Sequence, residues 1–531
     1  MHSAPIRFAI LHHDAAFEHW QTRCLEELVA LPGVHAHVLI TAQEPATHLP
    51  CALAGVPRTR LPRSADPEAG PHDTHTAATQ INSYDLDFIL SFEEAPCPPA
   101  IVDVPRYGVW RFQFGDWTRY RGGPSGFWEV YDGESVSAAM LTRVRPESDS
   151  VIVLREGFFR TDLLSHARNR NKMRSRVVRW PAQICVDIRN GATERFSAKA
   201  VLGAARVRTT PTRAQLAKVR CKILARALGV ALRSLFSHDQ WNVGLVDQPI
   251  AAFLSPQRRP PVQWLPDTKR EELRADPFGA LHDGRLTILC EHFSYRDNLG
   301  FIVAIEPTGA PAGRHVAIGP QPPVHMSYPF LLEADKRMFC VPETSDAQEI
   351  GLYEAEQFPG RWKKIATLVT NKAIVDATLF HYGDHWWLAG SEVAPKGANC
   401  ELHLWYAPKL MGPWCAHANN PVKVDIRSAR PAGTPFLDNG VLYRPAQDCS
   451  TTYGARVIIN RVLTLTPMAF REEAFAQVDP DPTGPYPNGL HTLSQVGNAT
   501  LIDGKRARFV PAEFRRVLGK TLLSAFKRTR P

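Results

Sequence analysis

Apolar and polar positions follow two different rhythms along this chain. In the first part, short apolar runs alternate with stretches of helical spacing. Ile6–Leu11 reads as a strand. Over Ala15–Leu31, the residues Phe17, Trp20, Cys24, Leu25, Leu28 and Val29 recur at the i, i+3, i+4 spacing of an amphipathic helix. Val34–Thr41 is the next strand, a Pro- and His-rich loop runs to about residue 75, and Asp87–Phe92, Tyr107–Phe112 and Val136–Val144 are three more strands. Strand and helix in alternation predict an α/β domain with a mostly parallel sheet. Ligands of such sheets sit beyond the carboxyl ends of the strands, here near His12, His13, Asp14, Glu93 and Glu94.

After Trp241 the rhythm becomes β and repeats. Ala275-Asp276-Pro277-Phe278, Ser327-Tyr328-Pro329-Phe330, Asp376-Ala377-Thr378-Leu379-Phe380 and Gly433-Thr434-Pro435-Phe436 are each followed by a polar turn and an apolar strand. The turns are His282-Asp283-Gly284, Ala334-Asp335-Lys336, Tyr382-Gly383-Asp384 and Asp438-Asn439-Gly440. Turns of the Asp/Asn-Gly kind between alternating segments signal hairpins. A period of roughly 50 residues suits one four-stranded blade per repeat. A fifth, more degenerate unit pairs Gly489–Leu493 with a turn at Ile502-Asp503-Gly504, and a strand near Trp241–Val246 would close the ring. The expected fold is therefore an α/β Rossmann-like domain (1–165), a basic helical connector (166–237), an all-β five-bladed propeller (238–505) and a basic amphipathic C-terminal helix (506–531).

The connector carries Arg168, Arg170, Lys172, Arg174 and Arg176, then a helical pattern over Thr212–Leu235. No aromatic-plus-basic motif accompanies these cations, so nucleic acid is not an expected partner. In the tail, Phe514, Val517, Leu518, Leu522, Leu523 and Phe526 alternate with Arg515, Arg516, Lys520 and Lys527, which suits packing on the propeller or peripheral membrane contact through 511–527. Composition changes this picture little. With 44% hydrophobic and 22% charged residues the chain reads as globular, and the net charge of +9 is compatible with an anionic ligand. No run reaches the ~20 apolar residues of a membrane span, and the opening strand is too short for a signal segment. Ten Cys scattered from Cys24 to Cys449 without a C-x-x-C pair are expected to be reduced thiols in a cytoplasmic protein, with no zinc site.

In a propeller the innermost strands meet at one funnel, so Asp276, Tyr328, Asp376, Arg430 and His491 should converge although they are far apart in sequence. Acid–base chemistry on a ligand in that funnel needs one ionised carboxylate and one carboxylic acid. Asp276, Asp376 and Glu343 are the catalytic candidates. Glu291, Tyr328, Arg430, Arg444, Gln447, Asp448 and His491 are the candidates for holding the ligand. Arg beside carboxylates suits a phosphate-bearing or otherwise anionic ligand. A divalent cation on the axis, held through His491, is a further expectation, and no other cofactor is indicated.

Two resemblances add to this reading. Around Tyr120-Arg121-Gly122-Gly123, followed by an aromatic helix start and a later acid, residues 5–165 resemble the folate-dependent formyltransferases. The positions matching that family's Asn, His and Asp are Arg111, Gln113 and Asp149. Gln cannot shuttle a proton and Arg111 is permanently cationic. The resemblance thus implies the fold with formyl transfer lost, leaving a substrate-binding site with Gln113 and Asp149 that holds an anion or phosphate through Arg111, Arg121 and the glycine-rich backbone.

From about 238 to 505 the chain resembles the N-terminal domain of plant glucosamine inositolphosphorylceramide transferase. The residues that carry this are Ala275–Phe278, His325–Pro329, Val341-Pro342-Glu343-Thr344, Asp376–Phe380, Leu442–Cys449 and Tyr453-Gly454. It implies the five-bladed propeller shared with arabinanase-like furanosidases, in which Asp276 matches the base and Asp376 a second Asp. The fourth blade lacks the Glu that serves as acid there and offers Arg430, Arg444, Gln447 and Asp448 instead. Together the resemblances imply a carbohydrate-active transferase acting on an activated sugar or nucleotide sugar. The alternatives are a furanosidase-type hydrolase or a non-catalytic carbohydrate-binding protein.

Overall fold

The computed structural model describes residues 5–14, 16–42, 49–61, 78–93, 97–120, 122–145, 150–198, 201–202, 208–255, 260–307, 313–320, 323–393 and 399–509. The chain forms two compact units, Met1–Arg226 and Ala227–Pro531.

The first unit is an eight-stranded sheet. Its strands are β1 (Ile6–Leu11), β2 (Val34–Thr41), β3 (Arg58–Arg60), β4 (Phe88–Ser91), β5 (Val109–Phe114), β6 (Val136–Val144), β7 (Ser150–Arg160) and β8 (Val201–Leu202), in the order β3-β2-β1-β4-β5-β6-β7-β8. β3 to β5 pair in parallel and β5 to β8 antiparallel. This is the expected Rossmann-like fold with a switch point between β1 and β4. Apolar runs in the parallel strands are buried on both faces, and Phe8, Phe88 and Trp110 stack across three of them at centroid distances of 5.2 and 3.8 Å.

The helices are α1 (His19–Val29), α2 (Pro99–Val102), α3 (Phe127–Asp132), α4 (His166–Arg176), α5 (Trp180–Arg189) and α6 (Arg213–Phe236). The reading of 166–237 as a separate connector does not match this arrangement. α4 and α5 bury Met173, Trp180, Ile184 and Cys185 in the first unit, and β8 extends its sheet. In α4 Arg recurs at every turn, which hid its core-facing side. α6 begins in the first unit, where Val219 is buried and Lys222 and Arg226 donate to the carbonyls of Tyr131 and Val130.

The second unit is a ring of five antiparallel blades, four of them four-stranded and blade three with a fifth short strand, Lys423–Val424. Blade one runs from Glu272–His282 to Arg314–His315, blade two from Ser327–Ala334 to Arg361–Thr370, blade three from Ile374–Tyr382 to Cys415–Ala416, and blade four from Phe436–Asp438 to Phe470–Val478. Blade five combines Leu493–Val496 and Ala499–Phe509 with Ser237–Val246 and Gln263–Trp264, so the start of the unit closes its end. The hairpin turns expected in blades one, two and four are present, with Asp283, Asp335, Lys336 and Asn439 at positive φ, as type I′ geometry demands.

The fifth turn is a correction. Ile502-Asp503-Gly504 lies inside the strand Ala499–Phe509, and the turn is at Gly497 (φ 53°). Gly504 is small because the Trp264 ring covers it: an added Cβ would lie 2.4 Å from that ring.

Blades four and five are joined at Gly433. It has φ 112°, forms a parallel bridge with Leu493, and an added Cβ would lie 1.8 Å from the Leu493 carbonyl oxygen. Gly433→Ala combines backbone strain with a clash that no side-chain rotation relieves. It should cost about 3 kcal/mol or more, read as a large fall in Tm by calorimetry, whereas Gly440→Ala in an open turn should lose only about 1 kcal/mol.

Candidate active site

The axial groups are aimed by a repeated backbone device. In blades one to three the ladder between the first two strands slips at the same place, between Ala275 and Phe278, Ser327 and Phe330, and Val375 and Thr378. The residue that starts each slip, Asp276, Tyr328 and Asp376, has φ of 53°, 43° and 54°. A left-handed L residue is strained by about 1–2 kcal/mol, and a bulge re-aims its side chain; such strain gathers at functional sites. Acids hold two of these bulges. Asp503 Oδ2 accepts the Asp276 amide at 3.1 Å, and Glu343 Oε2 accepts the Asp376 amide at 3.3 Å.

Asp376 is clamped on both oxygens. Arg430 donates from Nε at 2.5 Å and from Nη2 at 3.0 Å, and Gln447 Nε2 donates at 2.7 Å. Arg430 also gives Nη1 to Asn399 (2.8 Å) and Nη2 to the Tyr453 hydroxyl (3.3 Å). Its Nε, Nη1 and Nη2 therefore all have protein acceptors, which leaves it a clamp for Asp376 rather than a grip for phosphate.

The other acids in the cluster hold their protons to higher pH than an exposed carboxyl does. Burial is the largest cause raising Asp276, to about 6, opposed by His491 and reinforced by the Asp376 and Asp503 charges. Burial likewise lifts Glu343 to about 8, with the Asp376 charge adding and Arg430 opposing. Glu291 is raised by burial and then by Asp276 and Glu343. The physical reason is common to all three. Carboxylates crowded in a low-dielectric funnel cannot all ionise. The result is a clamped carboxylate beside carboxylic acids, the pairing that glycosyl chemistry needs.

On the blade-five side, His491 stacks on Trp241 (3.9 Å) and lies edge-on to Tyr453 (5.3 Å). Its Nδ1 is 2.6 Å from Asp503 and 3.7 Å from Asp276. Burial opposes protonation of this ring, but Asp503 and Asp276 raise its pKa above the usual value. Asp276, His491 and Asp503 are close enough together to suggest a metal site. Asp503 already accepts the amides of Asp276, His491 and Thr492 as well as the imidazole N–H, and Thr492 Oγ1 donates to Asp276 at 3.0 Å. Both oxygens of Asp503 are thus engaged by the protein itself.

Of the residues singled out in the sequence, Asp276, Glu291, Glu343, Asp376, Arg430, Gln447 and His491 come together. Tyr328 is buried beside them, but its hydroxyl bonds Thr378 Oγ1 (2.9 Å) and the Gly433 amide (2.7 Å), so it ties blades together. Arg444 is not in this group. It pairs with buried Glu472 and donates to the carbonyls of Ser428 and Ala429. Asp448 caps the Ser450 amide and faces Arg456. In the first unit Arg111 and Gln113 lie on β5, and both amide atoms of Gln113 are buried with no hydrogen-bond partner among the described residues. Glu94, Arg121, Asp149 and the tail 511–527 lie outside the described residues.

Sequence reasoning missed Asp503, Thr492, Asn399, Lys505 and Tyr453 as axial partners. Asp503 was hidden by an Asp-Gly pair that imitates a turn. Lys505 is buried beneath the Trp241 ring and donates to the Tyr453 carbonyl, fixing the turn that presents Tyr453 to Arg430.

Comparisons with known proteins bear on the same region. The family described as "Glucosamine inositolphosphorylceramide transferase 1, N-terminal" matches residues 270–481. Glucosamine inositolphosphorylceramide transferase 1 of Oryza sativa subsp. japonica is 37% identical over 152 residues, 28% of this chain and 20% of that protein. The Arabidopsis thaliana protein of the same name is 35% identical over 152 residues. The chain thus spans about a fifth of the length of the curated relatives it matches.

Among solved structures, a family 117 glycoside hydrolase of Zobellia galactanivorans is 14% identical, covering 51% of this chain and 91% of its own at a TM-score of 0.33. Glycinamide ribonucleotide transformylase 1 of Symbiobacterium toebii is 13% identical, covering 35% and 89%, with a TM-score of 0.29. The stretch 270–481, which runs from blade one into the end of blade four and holds Asp276, Glu343, Asp376 and Arg430, is therefore the part of the chain that matches the glucosamine inositolphosphorylceramide transferase N-terminal family.

Proposed function

We propose that the propeller is the catalytic part of a glycosyl transferase and that transfer takes place at the axial carboxylates. The observation that carries this reading is the contact of a clamped carboxylate, Asp376, with a proton-holding acid, Glu343. Glu343 holds the proton for the leaving oxygen. Asp376 faces the positive charge that develops on the sugar ring, and Asp276, with its lower pKa, takes the proton from the acceptor hydroxyl. The relatives' name, a transferase of glucosamine, supports a sugar donor. The lining adds a preference of its own. Five carboxyl groups (Asp276, Glu291, Glu343, Asp376, Asp503) stand against Arg430 and His491, and both cations already have partners. Such a funnel suits a neutral or amino sugar, and a donor's phosphate would lie away from the axis.

Transfer assays with nucleotide-linked and phosphate-linked sugars, N-acetylated and free amino sugars included, test the proposal. Turnover is expected, with a fall of roughly 100- to 10,000-fold in Asp276→Asn at unchanged Tm. A broad donor panel giving neither binding nor turnover would sink the proposal. Release of free sugar with no acceptor product would replace transfer by hydrolysis at the same residues.

A further inference from the structure

A cavity of about 300 Å³ lies where the connection after blade four meets blade five. Phe253, Val262 and Trp264 wall it from the start of the unit, and Asp479, Asp481 and Tyr486 from that connection. None of Asp276, Glu291, Glu343 and Asp376 lines it. Asp503 borders it, but the Asp503 carboxylate is bonded to the amides of Asp276, His491 and Thr492. The cavity is therefore separate from the axial acids. Its volume stands at the low end of the roughly 300–1,000 Å³ of small-molecule sites, which suits a sugar ring better than a nucleotide or a peptide.

The aromatic wall is set before any ligand arrives. The Trp264 and Tyr486 rings have centroids 4.6 Å apart and planes inclined by 48°. Two glycines on the paired strands Ser237–Val246 and Ala499–Phe509 seat the indole. A Cβ would lie 3.0 Å from the ring at Gly244 and 2.4 Å from it at Gly504, so only bare backbone leaves room for it. The Tyr486 hydroxyl donates to Asp267 Oδ1 at 2.5 Å and accepts from Asn242 Nδ2 at 2.9 Å. Rings fixed in this way lose little entropy on binding, and their flat apolar surface matches the C–H face of a sugar ring.

Charge narrows the ligand further. The described lining residues include Asp479 and Asp481 and no Lys, Arg or His, which disfavours a phosphate or a carboxylate. Nearby Arg456 pairs with Asp479, and Arg506 pairs with Asp267. Arg506 also lies 4.9 Å from the Tyr486 ring centroid, so a simple ammonium ion would meet a cation already in place. A carboxylate has about four acceptor positions, so Asp479 and Asp481 can take further bonds from hydroxyl or ammonium groups at the rim.

We propose that this cavity is a second sugar-binding site, which lays an uncharged or amino-bearing sugar ring on Trp264 and Tyr486. It does not depend on the transfer reaction proposed for the axis.

Saturation-transfer NMR titrations of the full chain with methyl glucoside, methyl glucosaminide, glucose phosphate and choline test the proposal. The two methyl glycosides should bind, and should still bind Asp276→Asn. Their affinity should fall at least about tenfold in Trp264→Leu, which removes the platform, and in Ser255→Trp, which fills the cavity from an exposed position. Trp264→Leu also empties the glycine seat, so Ser255→Trp at the parent's Tm carries the result if that variant is unstable. Glucose phosphate and choline should bind at least about tenfold more weakly than the glycosides. Absence of glycoside binding overturns the proposal, and so does choline or glucose phosphate binding as tightly as the glycosides. Glycoside binding that is lost in Asp276→Asn and unchanged in Ser255→Trp would also overturn it, while leaving the axial transferase reading intact.

Discussion

Glu343→Gln is expected to give a protein more stable than the parent above pH 8 and inactive as a transferase. Glu343 is fully enclosed beside Asp376, and burial lifts its pKa from 4.5 to about 8. The folded chain therefore holds this proton more tightly than the unfolded chain does. The stability that follows is fully present below pH 4.5 and is lost as pH rises through about 8. A shift of that size corresponds to a few kcal/mol, on the order of 1.4 per pKa unit. Gln keeps the oxygen that accepts the Asp376 amide and never ionises, so the variant escapes the loss. Melting curves at pH 5 and pH 9 should show little difference at the first and a clear rise in Tm for the variant at the second. A variant less stable at both values would mean that Glu343 is an ionised structural cap.

Arg430→Met should be the most damaging single change on the axis. It leaves Asp376 buried with Gln447 as its remaining side-chain donor, and breaking one side of a buried pair costs about 3–5 kcal/mol. Arg444→Met supplies the control. Arg444 pairs with Glu472 at similar burial in the same blade but away from the axial acids. A comparable loss of stability is expected there, with Lys423 softening it, while any residual transfer keeps the parent's pH profile. Changes in the pH profile that are the same for both variants would argue against Asp376 as the reacting carboxylate.

Which parts of this arrangement could be read from the sequence follows from how local their causes are. The blade repeat was legible because an apolar strand and its two-residue turn are specified by neighbouring residues, such as Asn439-Gly440 at positive φ. The convergence of Asp276, Asp376, Glu343 and Arg430 was legible once five blades were counted, since the ring places their positions together. What each does was not. Whether Arg430 grips a ligand or a neighbour depends on Asn399 and Tyr453, which reach it from other segments. Asp503 looked like a turn residue because nothing local records that Asp276, 227 residues earlier in the chain, needs its bulge amide capped. In the first unit, α4 and α5 were taken for a connector because Arg side chains that snorkel or pair, such as Arg174 with Glu18, obscure the buried face around Met173.

The account stands most directly on the pH–rate profile of sugar transfer by the intact chain. The axial pair predicts a bell, with an acidic limb near the value of about 6 for Asp276 and an alkaline limb near the value of about 8 for Glu343. Glu343→Gln should abolish the activity that defines the alkaline limb. A profile flat from pH 5 to 9, or transfer that survives in Asp276→Asn and Glu343→Gln alike, would contradict the assignment of the chemistry to the propeller axis.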